Sequence, residues 1–153
     1  MNLADFDRPL NDRGLEAAPF MGEYIASNDL IPDSILTSPA RRAEQTARLV
    51  KEAASLTVSI KFDERIYEAS PQTLVQVLSE LESEVRSVML VGHNPGLEGL
   101  VRYLTGELEP MSTASLAVID LGIEHWNEVG PGKGSVRHVA RPKDLLKARH
   151  NSI

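Results

Sequence analysis

The sequence predicts an α/β fold in which helices cover both faces of a mostly parallel central sheet, a three-layer α/β/α domain. Short apolar runs typical of buried strands alternate with longer segments whose apolar residues recur at helical spacing. This alternation favours parallel strands joined by crossover helices, which cover the sheet on both faces. The 153 residues, of which 42% are hydrophobic, suit one such domain, and we expect it to span residues 1–153.

The first part of the chain carries three predicted strands, each followed by a helix. Apolar spacing predicts a first helix over residues 15–25, with Asn11 as its N-cap. Ser38-Pro39 and Ser70-Pro71 each have the pattern of an N-cap followed by proline at the first helical position. The strands are predicted at residues 34–37, 56–62 and 87–91, and a helix over residues 95–104 should end at Gly106.

Beyond Gly106 the pattern changes from alternation to two successive strands. These are predicted at residues 115–121 and 135–140, with a turn at Gly130-Pro131-Gly132 between them. Two strands in succession allow an antiparallel strand late in the chain. A short, basic terminal helix is predicted at residues 142–149.

The composition excludes several classes of function. A net charge of -6 argues against nucleic acid or a membrane surface as the partner, because both are polyanionic. Without cysteine there is no thiol nucleophile and no thiolate metal site. No apolar run is long enough to span a bilayer, and the acidic first residues lack the features of a signal peptide, so we expect a cytoplasmic protein.

Residues capable of chemistry follow each of the three predicted parallel strands. Arg42 follows the first strand, Glu68 the second and His93 the third. Ligands of such sheets bind beyond the carboxyl ends of the strands, so these three side chains are expected at one edge. Each also has a plainer interpretation, in which His93 only satisfies a backbone partner in a strand-to-helix turn, and Arg42 and Glu68 are solvated, as most arginines and loop glutamates are.

An arginine and a histidine at the N-terminal ends of neighbouring helices are typical of a phosphate-binding pocket. A guanidinium in the first helical turn and free backbone N–H groups both suit phosphate oxygens, which favours phosphoryl transfer as the reaction class. His93 could be a donor to phosphate oxygens, a general acid or base, or a nucleophile. Glu68 could protonate a leaving group if its surroundings raised its pKa. None of the other histidines has metal-ligand spacing.

Several segments, in order, resemble the histidine phosphatase superfamily, and within it the SixA-type phosphohistidine phosphatases. Ser38-Pro39 through Arg42-Ala43 resembles the second-arginine motif of that family. Gly92-His93-Asn94-Pro95 resembles its second-histidine motif. The resemblance covers essentially the whole chain, and the remaining segments that carry it are residues 5–14, 45–47, 67–69 and 111–114.

The resemblance implies a mechanism and a substrate class. Family members hold phosphate among two arginines and two histidines, and one histidine attacks phosphorus to form a phosphohistidine that water later hydrolyses. By motif match, Arg42 is the second phosphate-binding arginine and His93 the second histidine, with Glu68 as the candidate general acid. The implied partner is a phosphorylated protein or small phosphate compound, and no metal or organic cofactor is implied.

The chain departs from the family pattern at one place. The family motif Arg-His-Gly, or its variant Arg-His-Ala, ends the first core strand and supplies the nucleophile, and neither tripeptide occurs in these 153 residues. We therefore expect an N-terminally truncated domain that lacks this strand and leaves neighbouring strand edges unpaired. The alternative is a catalytically inactive module that binds phosphate or a phosphoprotein through Arg42 and His93.

Overall fold

A computed structural model describes residues 4–151 and has the α/β architecture that the sequence predicts. Single 3-10 turns lie at Asp5–Asp7, Glu64–Ile66 and Trp126–Glu128. The five strands are β1 (Ser34–Thr37), β2 (Ile60–Phe62), β3 (Val88–Val91), β4 (Leu116–Leu121) and β5 (Gly134–Ala140). The five helices are α1 (Asp12–Ser27), α2 (Arg41–Ala53), α3 (Pro71–Ser79), α4 (Gly96–Thr105) and α5 (Pro142–Asn151).

The strands form two separate sheets. β1 lies at the centre of a parallel sheet in the order β2-β1-β3, and its pairing with β3 runs from Ser34 opposite Val88 to Thr37 opposite Val91. β4 and β5 form an antiparallel pair of their own. Among the strands in residues 4–151, none pairs with the outer edge of β3, which agrees with the expected unpaired edges.

The two faces of the central sheet pack against different helices. In β1, Ile35 is fully buried and packs with Ala47 of α2, whereas the next residue, Leu36, packs with Leu74 of α3 and Leu100 of α4. This alternation follows from the two-residue period of a strand. The three-layer arrangement expected from the sequence is therefore present.

Two predicted helix starts are confirmed by their capping hydrogen bonds. The Asn11 side chain accepts from the backbone N–H of Gly14 at 2.9 Å, which caps α1. The hydroxyl of Ser70 accepts from the N–H of Thr73 at 3.2 Å, which caps α3. Each bond satisfies a donor that the helix itself leaves unpaired.

The predicted cap at Ser38 is wrong. Its backbone N–H donates to the carbonyl of Val91 at 3.0 Å, so the chain stays extended past β1, and α2 begins only at Arg41 after Ala40. The Ser38 hydroxyl accepts from the backbone N–H of Ala40 at 3.2 Å, which lies before the first turn of α2.

The second strand is also shorter than predicted. Only Ile60–Phe62 pairs with β1, opposite Ile35 to Thr37. Leu56 and Val58 instead pack into the apolar cluster beneath α2. None of the helices within residues 4–151 is long and apolar enough to cross a membrane.

Candidate active site

The loops that carry the three predicted site residues leave the central sheet at one edge. The hydrogen bond from Ser38 to Val91 holds the ends of β1 and β3 side by side. Arg42 follows β1, Glu68 follows β2 and His93 follows β3, and all three strands are parallel. The arrangement is the one expected for a ligand site at the carboxyl edge of a parallel sheet.

His93 is held in place by two side chains from the neighbouring loops. Its Nε2 atom lies 2.8 Å from the hydroxyl oxygen of Ser38, which is fully buried. The ring of Tyr67 meets the imidazole edge-on, with ring centroids 5.4 Å apart and planes at 89°. The imidazole of His93 therefore contacts side chains and not a backbone group, as the plainer interpretation required. Its Nδ1 atom remains as the ring nitrogen available to a ligand.

The guanidinium of Arg42 is engaged by the carboxylate of Asp5. Its NH1 and NH2 groups each donate to one carboxylate oxygen at 3.2 Å, and NH1 also donates to the Asp5 carbonyl at 2.9 Å. This two-pronged contact is the geometry that arginine adopts with carboxylate or phosphate oxygens. The neighbouring Arg41 is exposed and lies outside this contact.

Tyr67 connects the Arg42 side of the site to the His93 side. Its hydroxyl donates to Asp5 Oδ2 at 2.6 Å, and this bond is the main reason why the pKa of Tyr67 rises to about 12. The same bond, followed by the bond from Arg42, holds the pKa of the Asp5 carboxyl below its usual value. The phenol therefore remains protonated and the carboxylate remains charged at neutral pH.

The surroundings of His93 favour its neutral form. Burial lowers the pKa of the imidazole, and the positive charge of Arg42 lowers it further. Asp5 and Glu68 act in the opposite direction but do not outweigh these effects. A neutral imidazole keeps one nitrogen as a donor and one as an acceptor.

Glu68 lies at the margin of this group, with its side chain exposed to solvent. It is close enough for its charge to act on both His93 and Tyr67. Its backbone has a φ of 51°, in the left-handed region that residues other than glycine seldom occupy. Such conformations concentrate at functional sites, which makes this residue of interest.

A cavity of about 360 Å³ opens beside Arg42 and His93. Its far wall is formed by residues 111–115, a segment anchored to the start of α4. Asn94 Nδ2 donates to the carbonyl of Met111, and Glu98 Oε1 accepts from the Met111 N–H at 3.0 Å. These bonds fix one side of the cavity, which is large enough to hold a small anionic group and part of the molecule to which it is attached.

The sequence predicts free backbone N–H groups at the N-termini of the helices near the cavity, but only one of the two helices has them. The first N–H groups of α4 are used within the chain: those of Leu97 and Gly99 donate to backbone carbonyls, and that of Glu98 donates to Asn94 Oδ1. By contrast, no side chain caps the start of α2 at Ala40. The first turn of α2, rather than that of α4, therefore offers N–H groups to an anion.

Three residues of this site were not assigned from the sequence: Ser38, Tyr67 and Asp5. Ser38 is predicted as a helix cap, and Tyr67 lies in a segment that resembles the family but receives no role of its own. Asp5 is 37 positions away from Arg42, so only the folded structure brings the two together. An aspartate in a short acidic segment gives no local signal of such a contact.

The described residues provide no metal centre. Within residues 4–147, whose side chains the structure describes, no group of three histidine, cysteine, aspartate or glutamate side chains is arranged to hold a metal ion. His138 contacts Tyr24, and His125 caps the 3-10 turn at Trp126–Glu128, so both lie in other surroundings.

Comparison with known proteins identifies the family. Residues 4–73 match the model of the histidine phosphatase superfamily (branch 1). The phosphohistidine phosphatase SixA of Escherichia coli K12 is 31% identical over 149 residues, which cover 95% of this chain and 89% of that protein. An uncharacterized protein of Mycobacterium tuberculosis H37Rv is 29% identical over 141 residues, or 85% of this chain and 86% of the other.

A solved structure agrees with these sequence relatives. The structure of the protein histidine phosphatase SixA complexed with tungstate superposes with a TM-score of 0.81 at 27% identity, covering 95% of this chain and 91% of that one. The chain belongs to the histidine phosphatase superfamily, as a SixA-type member. This membership agrees with the resemblance of the motifs around Arg42 and His93.

Proposed function

We propose that this chain forms the phosphate-binding part of a phosphohistidine phosphatase, which hydrolyses a phosphorylated protein or a small phosphate compound through a phosphohistidine intermediate. One observation carries the proposal. Arg42 and His93 meet at one edge of the sheet beside a cavity, and the guanidinium of Arg42 already binds an oxyanion, the Asp5 carboxylate, through two nitrogens. The related structure of SixA is a complex with tungstate, which is a tetrahedral oxyanion as phosphate is.

Each site residue has a defined role in this proposal. Arg42 holds two phosphoryl oxygens and offsets the negative charge that grows on them. His93, kept in position by Ser38, donates to a third oxygen in the transition state. Glu68, whose charge acts on His93, protonates the leaving group and later accepts a proton from water.

The nucleophile in this proposal is a second histidine, on a strand that ends in Arg-His-Gly or Arg-His-Ala and pairs with the outer edge of β3. A nitrogen of that histidine forms a bond to phosphorus as the bond to the leaving group breaks, and Glu68 supplies the proton that the leaving group needs. Water then attacks phosphorus and gives its proton to Glu68. The histidine is released and orthophosphate leaves.

The test is phosphate release from p-nitrophenyl phosphate by the chain with an apolar strand ending in Arg-His-Gly fused before Met1. We expect turnover, and we expect His93→Ala to lower kcat by about 10²–10³-fold, the effect of losing one transition-state donor. His138→Ala is the matched control and should retain full activity, because His138 lies in β5 and contacts Tyr24 of α1. No turnover in the fused chain, or equal turnover with His93→Ala, would contradict the proposal.

The role of Glu68 has its own measurement on the same fused chain. Glu68→Gln keeps the size of the side chain but cannot transfer a proton, so kcat for an alkyl phosphate, whose leaving group needs that proton, should fall by about 10²-fold or more. Glu64→Gln, on the preceding 3-10 turn, is the control and should leave kcat unchanged. An unchanged rate in Glu68→Gln would remove the general-acid assignment and leave the rest of the proposal intact.

A second candidate function is a binding module without catalysis. It is favoured by the absence of a second histidine beside His93 among the residues whose side chains are described: His138 contacts Tyr24 and His125 caps a 3-10 turn. This function predicts that the chain binds orthophosphate and that the fused chain still releases none from substrate.

A further inference from the structure

Ser38 holds a hydroxyl group in the interior of the molecule, next to His93. The residue is fully buried, and its backbone N–H donates to the carbonyl of Val91 at 3.0 Å. That bond ties Ser38 to the end of β3, just before the turn that carries His93. The hydroxyl oxygen lies 2.8 Å from Nε2 of the imidazole. Both the backbone and the side chain of Ser38 therefore contact the segment that positions His93.

The hydrogen bonds of the Ser38 hydroxyl show where its proton points. A hydroxyl group has one proton to donate and two lone pairs that accept. The oxygen already accepts from the backbone N–H of Ala40 at 3.2 Å. Among the residues that the structure describes, the one acceptor within hydrogen-bond distance of this hydroxyl is Nε2 of His93. Because an unpaired buried donor is costly, the proton of Ser38 points to Nε2.

This bond decides which nitrogen of the imidazole carries the ring proton. In a neutral imidazole, one nitrogen is protonated and the other is an acceptor. Since Nε2 accepts from Ser38, the proton lies on Nδ1. Tyr67 does not compete for either nitrogen, because it meets the ring edge-on and its hydroxyl donates to Asp5.

The imidazolium form of His93 would leave Ser38 without an acceptor. A protonated ring has an N–H donor at both nitrogens. Its Nε2–H would donate to Oγ of Ser38, and the serine proton would then have no acceptor among the described residues. The neutral ring is also the form that burial and the charge of Arg42 favour, since both lower the pKa of His93.

From this arrangement we infer that Ser38 is a positioning residue that fixes His93 as the Nδ1–H tautomer. His93 then presents a hydrogen-bond donor, without a free lone pair, to the cavity that it lines. A phosphoryl oxygen accepts hydrogen bonds, so the ring is in the correct tautomer before any ligand arrives. A nucleophile or a general base would need a lone pair at Nδ1, and this tautomer excludes both roles for His93.

The inference rests on the proposed function only for the use of the Nδ1–H donor. The tautomer is a property of the chain without ligand, because Ser38 and Ala40 set it through bonds within the fold. It can therefore be measured without a nucleophile, a substrate or turnover.

Ser34 provides a matched control for the removal of a buried hydroxyl. It lies at the start of β1, and Ser38 follows the end of the same strand. Ser34 is buried as well, but its hydroxyl has no hydrogen-bond partner among the described residues. Ser34→Ala and Ser38→Ala remove the same atom from the interior, and only the second removes a partner of His93.

The experiment records the ring nitrogen resonances of the 153-residue chain, labelled at histidine, by NMR at about pH 8, where the imidazole is neutral. His93→Gln identifies the resonances of His93 by their loss. We expect Nδ1 to resonate as a protonated nitrogen and Nε2 as an unprotonated one. In Ser38→Ala both should move towards the intermediate positions of a tautomer mixture, whereas Ser34→Ala should give the parent spectrum.

Orthophosphate binding by the same chains is the second readout. Ser38→Ala should weaken binding by roughly two- to tenfold, the effect of losing one neutral hydrogen bond. Ser34→Ala should bind as the parent chain does. Calorimetric titration measures both affinities.

A parent chain in which Nε2 carries the proton would overturn the inference, and that measurement needs no variant. An unchanged spectrum in Ser38→Ala, or the same change in Ser34→Ala, would show that the Ser38 hydroxyl does not set the tautomer. The proposed function fails by a different result. A chain with the expected spectrum that binds no orthophosphate would keep the tautomer and lose the phosphate site.

Discussion

Arg42 meets a carboxylate at the place where we propose that a phosphoryl group binds. Asp5 occupies both nitrogens of the guanidinium and also accepts from Tyr67, so it holds together the two sides of the site. An incoming phosphoryl group requires the same donors on Arg42. Asp5 is therefore a competitor for the ligand, and its negative charge also opposes the approach of a dianion.

The first prediction concerns this competition. Asp5→Asn removes the charge but keeps the size of the side chain, and it should tighten orthophosphate binding by roughly two- to fivefold, the scale of an exposed ion pair. Calorimetric titration measures the change. Asp7→Asn, in the same 3-10 turn, is the control and should behave as the parent chain does. Weaker binding by Asp5→Asn would show that the carboxylate orients Arg42 for the ligand instead of competing with it.

The second prediction concerns the protonation of His93. Burial and the charge of Arg42 place the pKa of its imidazole below 6.5, the value of an unperturbed histidine. The ring resonances of His93 in an NMR pH titration should therefore have a midpoint below 6.5, and Arg42→Gln should raise that midpoint. A midpoint at or above 6.5 in the parent chain would contradict this account of the site.

The lowered pKa of His93 also has a consequence for stability. The unfolded chain binds a proton to this histidine more readily than the folded chain, so protonation favours unfolding. The contribution of His93 is fully present above pH 6.5 and is lost as the pH falls through the folded-state pKa. His93→Gln should accordingly weaken the dependence of unfolding free energy on pH in this acidic range, as measured by urea denaturation.

At the scale of elements, the first turn of α4 packs directly against the loop that carries Glu68. A Cβ atom on Gly96 would lie 2.5 Å from the carbonyl oxygen of Ala69, which is closer than atoms can approach. The glycine thus lets helix and loop meet, and this contact sets the position of Glu68 relative to His93. The left-handed backbone of Glu68 is held within the same loop.

The third prediction tests this contact. Gly96→Ala should lower the free energy of unfolding by about 1–3 kcal/mol, because the backbone of the loop or of the helix must move to admit the methyl group. Urea denaturation measures the loss. Gly130→Ala is the control, because a Cβ there would meet nothing closer than 3.9 Å, and its effect should be small. Equal stability of the two variants would show that the contact at Gly96 relaxes freely.

Across the molecule, the sequence predicts the features that depend on neighbouring residues, and it misses those that depend on tertiary contacts. The caps at Asn11 and Ser70 depend on residues three positions away, so sequence pattern alone identifies them. The role of Ser38 depends on His93, 55 positions away, and a local pattern assigned it wrongly as a cap. The placement of Arg42, Glu68 and His93 at one edge followed from strand order, whereas Asp5 and Tyr67 required the folded structure.

A cavity of about 1000 Å³ lies between the two sheets and is lined by residues of β3 and β4. The sequence predicts unpaired strand edges because the chain has no Arg-His-Gly or Arg-His-Ala motif with its strand. It does not predict that two such edges face each other across one cavity that opens towards the phosphate site. That arrangement depends on how the β4–β5 pair packs beside the central sheet.

The central claim is that the edge of the sheet at Arg42 and His93 binds phosphate, and calorimetric titration of the 153-residue chain with orthophosphate tests it most directly. Arg42→Ala should weaken binding by at least about tenfold, because it removes a two-pronged, charge-assisted contact. Arg41→Ala, one residue away and exposed, should change the affinity by no more than about twofold. Equal binding by the parent chain and Arg42→Ala, or no binding by the parent chain, would contradict the claim.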